Sequence, residues 1–511
     1  MKKLLLILSF ICIIKVNGQI TFEKKVAGCQ LSNIQQTKDG GYITCGTITN
    51  MACLIKMNST GDTLWSKSYK AIGATTNGIY VSQTQNGNYI LACSIDSIGA
   101  GGYDIYIVKT DSLGNLLWAK TYGGAGNDYV NLVQQTTDNG FVIAATTNSY
   151  GTTNSSPFVI YVIKIDSLGT IQWTNTYGGT TGQNIVSLQQ TSDGGYIIGG
   201  ANSSVFLLKT NALGNPIWSK KYLVTNALYS NLSGGYCQQT SDGGYIVCAS
   251  STNYTDSADT YYFKTDLNGN ISWAYDIDKF YGVCNVSNSV YNIKQTLDGG
   301  YVFSNMVLAI FGGTGAGYAI VDNNIYKADS AGHISESSYY GTAGGTNSIS
   351  SCNDSTCIVL QSLTSTINAI VKTDKNVNTT CNNYVSKTIH KINITSTDTS
   401  FVLSSGGGVA NAPTQVGNSV VQDSIICSSV LAISTYNTQN STIKIYPNPA
   451  NNKITIDAND AVDVKLFDVL GKQITSTKTN NVDVSNLTNG IYFIQVQTKQ
   501  NTYSQKIIVQ H

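Results

Sequence analysis

The chain has 511 residues and a formal net charge of +1, with only 12% charged residues, so no bulk field draws it to nucleic acid or an acidic membrane. All 30 basic residues are Lys, and Glu occurs only as Glu23 and Glu336, so no Arg fork exists for bidentate phosphate or carboxylate recognition. Phosphoryl transfer and nucleic-acid binding are thereby disfavoured, whereas 49 Gly and 32 Tyr suit short strands joined by tight turns.

At the N-terminus, Lys2 and Lys3 precede an apolar run from Leu4 to Ile14, and Val16-Asn17-Gly18 follows with small residues at the cleavage positions. Residues 1–18 are predicted to be a cleaved signal peptide. The run falls short of the roughly 20 residues a span requires, so no transmembrane span is expected in the mature chain. Of the 12 Cys, Cys12 leaves with the signal peptide, and the odd remainder leaves at least one thiol without an intrachain partner.

The next feature is an internal repeat. Gln36-Thr-Lys-Asp-Gly-Gly-Tyr returns with small changes from Gln83, Gln135, Gln190, Gln239 and Gln295, and in eroded form as Cys352-Asn-Asp-Ser-Thr-Cys357. A second string, apolar-apolar-Lys-x-Asp/Asn then Gly-x-x-x-Trp, follows each copy of the first. Its Lys positions are Lys56, Lys109, Lys164, Lys209, Lys264, Lys327 and Lys372; its Trp positions are Trp65, Trp118, Trp173, Trp218 and Trp273, with Glu336 in the sixth.

Asp/Asn-Gly turns between apolar runs are hairpin signals, so each unit reads as four strands. Four-strand units of roughly 50 residues repeated around an axis predict an all-β, seven-bladed β-propeller over residues 19–376. After Lys372 the seventh unit lacks a fourth strand, and Phe22-Glu-Lys-Lys-Val26 matches Trp218-Ser-Lys-Lys-Tyr222. The N-terminal strand is therefore expected to close the last blade and remove its open edge.

The fourth-strand string resembles the tryptophan motif of quinoprotein-type propellers. That resemblance implies that Trp65, Trp118, Trp173, Trp218 and Trp273 dock one blade on the next. One Trp in nearly every blade is a packing pattern rather than a cofactor site, and no cofactor is expected. Gln36, Gln83, Gln135, Gln190, Gln239 and Gln295 lie on first strands, which line the channel in propellers. They are candidate channel-lining residues for water, an ion or a sugar hydroxyl, or else they satisfy backbone groups around a wet channel. Placing the Thr of Gln-Thr opposite the Tyr of Gly-Gly-Tyr sets Cys352 against Cys357 and Cys237 against Cys248, and both pairs are expected as disulfides.

Residues 377–440 are a Ser/Thr/Asn-rich connector, irregular or weakly β. Residues 441–511 carry Tyr446-Pro447-Asn448-Pro449, Phe467-Asp468 with Leu470-Gly471-Lys472, Leu487 with Gly490-Ile491-Tyr492, and Lys506-Ile507-Ile508-Val509. These motifs, in this order, resemble the type A C-terminal sorting domain of the type IX secretion system of Bacteroidetes-like bacteria. The resemblance implies a small β-sandwich that engages the outer-membrane translocon and sorting machinery. It also implies a secreted or outer-surface location.

Chemistry is sparse. His333, His390 and His511 lie in a repeat turn, in the connector and at the last position, so no triad or His metal site is expected, and no catalytic residue is assigned. The recurring Asp193, Asp242 and Asp298 sit at turns, where they cap local N–H groups. The expectation is a non-catalytic binding or scaffold protein for a glycan, protein or surface component. The alternatives are a quinoprotein-like or carbohydrate-active propeller enzyme and a purely structural surface protein.

Overall fold

The computed structural model describes residues 19–96, 101–150, 158–178, 184–224, 231–253, 259–277, 286–311, 318–339, 346–351, 356–364, 367–374, 376, 383–384, 389–391, 394–399, 402–404, 408–410, 414–418, 422–431, 444–457, 461–467, 473–498 and 502–511. The expected signal peptide lies outside them. The chain divides into two compact units, Met1–Val430 and Leu431–His511.

The first unit is all-β and built from antiparallel meanders of four strands. The fourth meander runs Asn184–Gln190, Tyr196–Ala201, Val205–Thr210 and Pro216–Val224. Its two middle strands are buried along their whole length, so they read as continuous apolar runs rather than alternating ones. The first hairpin turn follows from its chemistry: Gly194 takes φ +81°, and Asp193 Oδ1 accepts from Gly195 N at 3.0 Å.

The same meander occurs from Gln30 to Ala71, Thr76 to Gly123, Asp128 to Gly178, Asn231 to Ile277 and Val286 to Tyr339. The fifth and sixth meanders join through Thr252↔Ser287 and Asn253↔Val286. The seventh comprises Thr346–Ser351, Cys357–Thr364 and Ile367–Lys372, and its fourth strand is Gln19–Ala27. Pairing is antiparallel from Phe22↔Lys372 to Ala27↔Ile367.

Apolar clusters run between successive sheets rather than within them. One joins Leu54 and Tyr69 of the first sheet to Tyr89 and Leu91 of the second. Others join the second sheet to the third and so on to the seventh. A last cluster joins Phe22, Ile358 and Ile370 of the seventh sheet to Tyr42 and Ile55 of the first.

The Ser/Thr/Asn-rich segment after the seventh meander supplies short strands that pair with the fourth strand of each sheet in descending order. Asn383–Tyr384 joins the sixth sheet, Ile389–Lys391 the fifth and Ile394–Asp398 the fourth. Val402–Ser404, Gly408–Ala410 and Thr414–Asn418 join the third, second and first. Gln422–Leu431 lies beside Gln19–Ala27 on the seventh. Each sheet thus gains a fifth strand over an edge that would otherwise expose unpaired N–H and C=O groups.

The register corrects the expected disulfides. Gln36↔Tyr42 and Gln239↔Tyr245 close their hairpins, so Gln rather than Thr faces Tyr. Cys237 therefore pairs with Val247 and Cys248 with Tyr236, one step apart and on opposite faces. Cys237 and Cys248 are buried thiols, not a disulfide. In the seventh sheet Ser351, not Cys352, faces Cys357. Cys352 lies outside the described residues, and Cys357 Sγ sits 3.1 Å from Thr373 Oγ1.

The second unit has two small sheets. Lys444–Tyr446, Lys453–Asp457 and Asn481–Asp483 form one; Gln473–Thr477, Ala461–Phe467, Gly490–Thr498 and Thr502–Val509 form the other. Ile454, Ile456 and Val482 pack with Leu466, Ile494 and Ile507 in a shared core, as in a β-sandwich.

Candidate functional site

The first strands of all seven sheets line one polar cavity of about 490 Å³. Gln35, Tyr80, Gln134, Gln189, Gln238, Lys294 and Ser348 each come from a different meander. Burial pushes the Tyr80 hydroxyl up to about 12. Lys294 is the only charged residue of the lining, which holds no His, Asp or Glu among the described residues. Burial lowers the pKa of Lys294, while its neighbours Cys237 and Cys248 oppose that shift.

The Gln residues singled out in the sequence lie one position beyond this lining. Gln83 Oε1 accepts from Lys38 N at 2.8 Å and Gln135 Oε1 from Gln85 N at 2.6 Å. Gln190, Gln239 and Gln295 accept in the same way from Thr137 N, Ser192 N and Ser241 N. Gln36, Gln190, Gln239 and Gln295 also donate to the glycine carbonyls of their own turns. These side chains satisfy backbone groups and tie neighbouring sheets together.

The residues that face the cavity precede them. Gln134 Oε1 accepts from Gln190 N at 3.0 Å, Gln189 Oε1 from Gln239 N at 2.8 Å and Gln238 Oε1 from Gln295 N at 2.7 Å. Sequence reasoning missed Lys294, although a signal was present: Lys stands there where four other repeats carry Gln.

Each Trp lies against the next sheet. A Cβ on Gly114 would stand 2.9 Å from Trp65, and one on Gly169, Gly214, Gly269 or Gly332 would stand 2.7–3.2 Å from Trp118, Trp173, Trp218 or Trp273. Phe22 takes the same place against Gly61. Trp65, Trp173, Trp218 and Trp273 meet Tyr89, Tyr196, Tyr245 and Tyr301 edge to face, as Trp118 meets Phe141.

The repeated Lys pins the first turn from within. Lys56, Lys164, Lys209, Lys264 and Lys327 pair with Asp39, Asp138, Asp193, Asp242 and Asp298 at 2.7–2.9 Å. In the second sheet Asn86 replaces the Asp, and Lys109 turns to Ser167 O at 3.0 Å, its Nζ 5.2 Å from the Phe141 ring centroid. Among the described residues no group of three His, Cys, Asp or Glu is arranged to hold a metal.

In the second unit the first and last motifs meet. Asn448 Oδ1, between Pro447 and Pro449, accepts from Ile508 N at 2.8 Å, and Ala450 N donates to Ile508 O at 2.7 Å. Gly490 pairs with Val509, and Lys506 with Phe493. Gly471 lies outside the described residues.

Residues 444–510 match the family model of the secretion system C-terminal sorting domain. The chain therefore carries the tail that directs cargo through the type IX secretion system to the cell surface or extracellular space, and this tail engages the secretion machinery. No helix of the described residues is long and apolar enough to cross a membrane. No curated protein matches the sequence.

Among solved structures the chain is similar to a protein of unknown function from Bacteroides caccae, at 10% identity and TM-score 0.31, covering 50% of this chain and 93% of that one. It is similar also to a quinohemoprotein alcohol dehydrogenase from Pseudomonas putida, at 10% identity and TM-score 0.35, covering 66% of each chain. A third is a DUF4221 member from Bacteroides vulgatus, at 8% identity and TM-score 0.29, covering 64% and 99%.

Proposed function

We propose that the first unit is a closed seven-bladed β-propeller, completed by its N-terminal strand, that acts outside the cell as a non-catalytic binding protein for a glycan, protein or surface component. The ring reading is supported by the apolar clusters, which pass from each sheet to the next and return from the seventh to the first. The observation that carries the binding reading is the cavity, to which every sheet contributes its first strand. Its lining offers amides, hydroxyls and one ammonium but no carboxylate or imidazole, so it suits holding a ligand better than acid–base chemistry.

The test is a glycan and surface-component array probed with the mature full-length chain. Specific capture, without turnover of the captured species, is expected. Turnover abolished by a single substitution in the cavity would replace this reading with an enzyme. Fractionation of cells expressing the chain without residues 441–511 is expected to find it in the periplasm.

A further inference from the structure

We propose that the cavity is a site for a small oxyanion, with Lys294 as its charged anchor and the amide groups of Gln134, Gln189 and Gln238 as additional donors. This deepens the binding reading above and rests on it.

Three observations lead there. First, the amide orientations are fixed. Gln134, Gln189 and Gln238 each use Oε1 to accept a backbone N–H of the next sheet, so the opposite end of each amide is the NH₂ donor. No hydrogen bond joins these Nε2 groups to a described residue, and all three side chains line the cavity.

Second, Lys294 breaks the repeat. It holds the place of Gln35, Gln134, Gln189 and Gln238 in their strands and brings an ammonium into the same space. It makes no ion pair with any described residue, and its titratable neighbours are the Cys237 and Cys248 thiols. Lys294 is partly exposed to the cavity, so its ammonium is open to an anion from solvent, whereas the neutral Gln that four other repeats carry at this place offers no such charge.

Third, Asn131 Oδ1 is buried without a hydrogen-bond partner in the same lining, leaving an acceptor for a hydroxyl of the bound molecule. N–H donors and one cation lining the same cavity, with no carboxylate in that lining, match a carboxylate, phosphate or sulfate group. The volume of about 490 Å³ accommodates the small molecule that carries it.

The experiment is calorimetric titration of the full mature chain with sodium phosphate, sodium sulfate and sodium glucuronate, each in Tris-chloride buffer. At least one probe is expected to bind, and which one it is distinguishes tetrahedral from carboxylate recognition. Lys294→Gln, which restores the repeat residue, is expected to weaken that probe by about tenfold or more, while Lys294→Arg keeps it. Gln189→Glu, which turns a donor into a negative charge, is expected to abolish binding, with thermal unfolding confirming that each variant folds. No binding of any probe up to about 10 mM, or equal affinity in wild type and Lys294→Gln, would overturn the proposal. A chain that binds on the array yet ignores all three probes would refute the oxyanion site and leave the binding reading standing.

Discussion

Phe22 lies opposite Lys372 in an antiparallel ladder, so the first described strand completes a sheet begun at the far end of the repeat. The ring of Phe22 also covers Gly61 and meets Tyr42 edge to face at 5.7 Å, as each Trp does for the sheet that follows it. Phe22 is only 2% exposed. Phe22→Ala is therefore expected to cost about 3–5 kcal/mol in urea unfolding, the range for a buried Phe. A loss below about 1 kcal/mol would mean that the strand does not contribute to the core.

The tyrosines of the fourth strands make a second link between sheets. Tyr122 OH donates to Gly169 O at 2.7 Å, and Tyr69, Tyr177 and Tyr222 reach Gly114, Gly214 and Gly269 in the same way. Tyr122→Phe removes one buried donor and leaves its carbonyl partner unmatched. A destabilisation of about 1–3 kcal/mol is expected by chemical denaturation.

Acid is expected to weaken the first unit. Partial burial tends to raise the Asp193 carboxyl, but hydrogen bonds from Lys209, Thr191 and Gly195 outweigh it and hold the group down at about 2, against an ordinary 3.8. Asp298, bonded to Lys327, Thr296 and Gly300, is also held down at about 2. A folded-state pKa below the unfolded one gives stability that is complete above the unfolded value and lost as pH falls through the folded value. The loss therefore falls between about pH 4 and pH 2. These carboxylates are half exposed, so each contributes only about 0.2–1 kcal/mol. Urea midpoints from pH 5 to 2 are expected to fall less steeply in an Asp193→Asn, Asp298→Asn double variant.

Cys45, Cys53, Cys93 and Cys248 are fully buried, and burial raises the Cys45 and Cys93 thiols well above their ordinary range. Iodoacetamide is expected to spare them in the native protein and to label them after denaturation. Non-reducing peptide maps are expected to recover the Cys237 and Cys248 peptides unlinked. A crosslinked pair would contradict the register that places them on opposite faces.

The short strands between Asn383 and Leu431 cover sheet edges, and Lys220 meets Asp398 at 2.8 Å there. Deleting residues 383–431 while keeping the sorting domain is expected to increase self-association, because the fourth strands then present open edges. Light scattering against the intact chain measures the effect.

The repeat was legible because each turn demands a particular residue: Asp193 caps its own turn and Gly194 takes a positive φ. The match of Phe22 to the Trp position was legible for the same reason, since both fill one slot above a glycine. The edge strands were not legible, because pieces such as Val402–Ser404 are too short to show a period and form only against a preexisting edge. The cavity residues were missed by one position. In Gln134-Gln135 both side chains are amides, and only the three-dimensional register decides which faces inward. The expected Cys237–Cys248 pair failed for the same reason, a slip of one residue.

Hydrogen exchange of the mature full-length chain is the most direct measurement of the proposed ring. The peptide covering Phe22–Val26 is expected to be protected to the same degree as its partner Ile367–Lys372, and the two are expected to open together in mild denaturant. Rapid exchange of Phe22–Val26 while Ile367–Lys372 stays protected would contradict a ring closed by its own N-terminal strand.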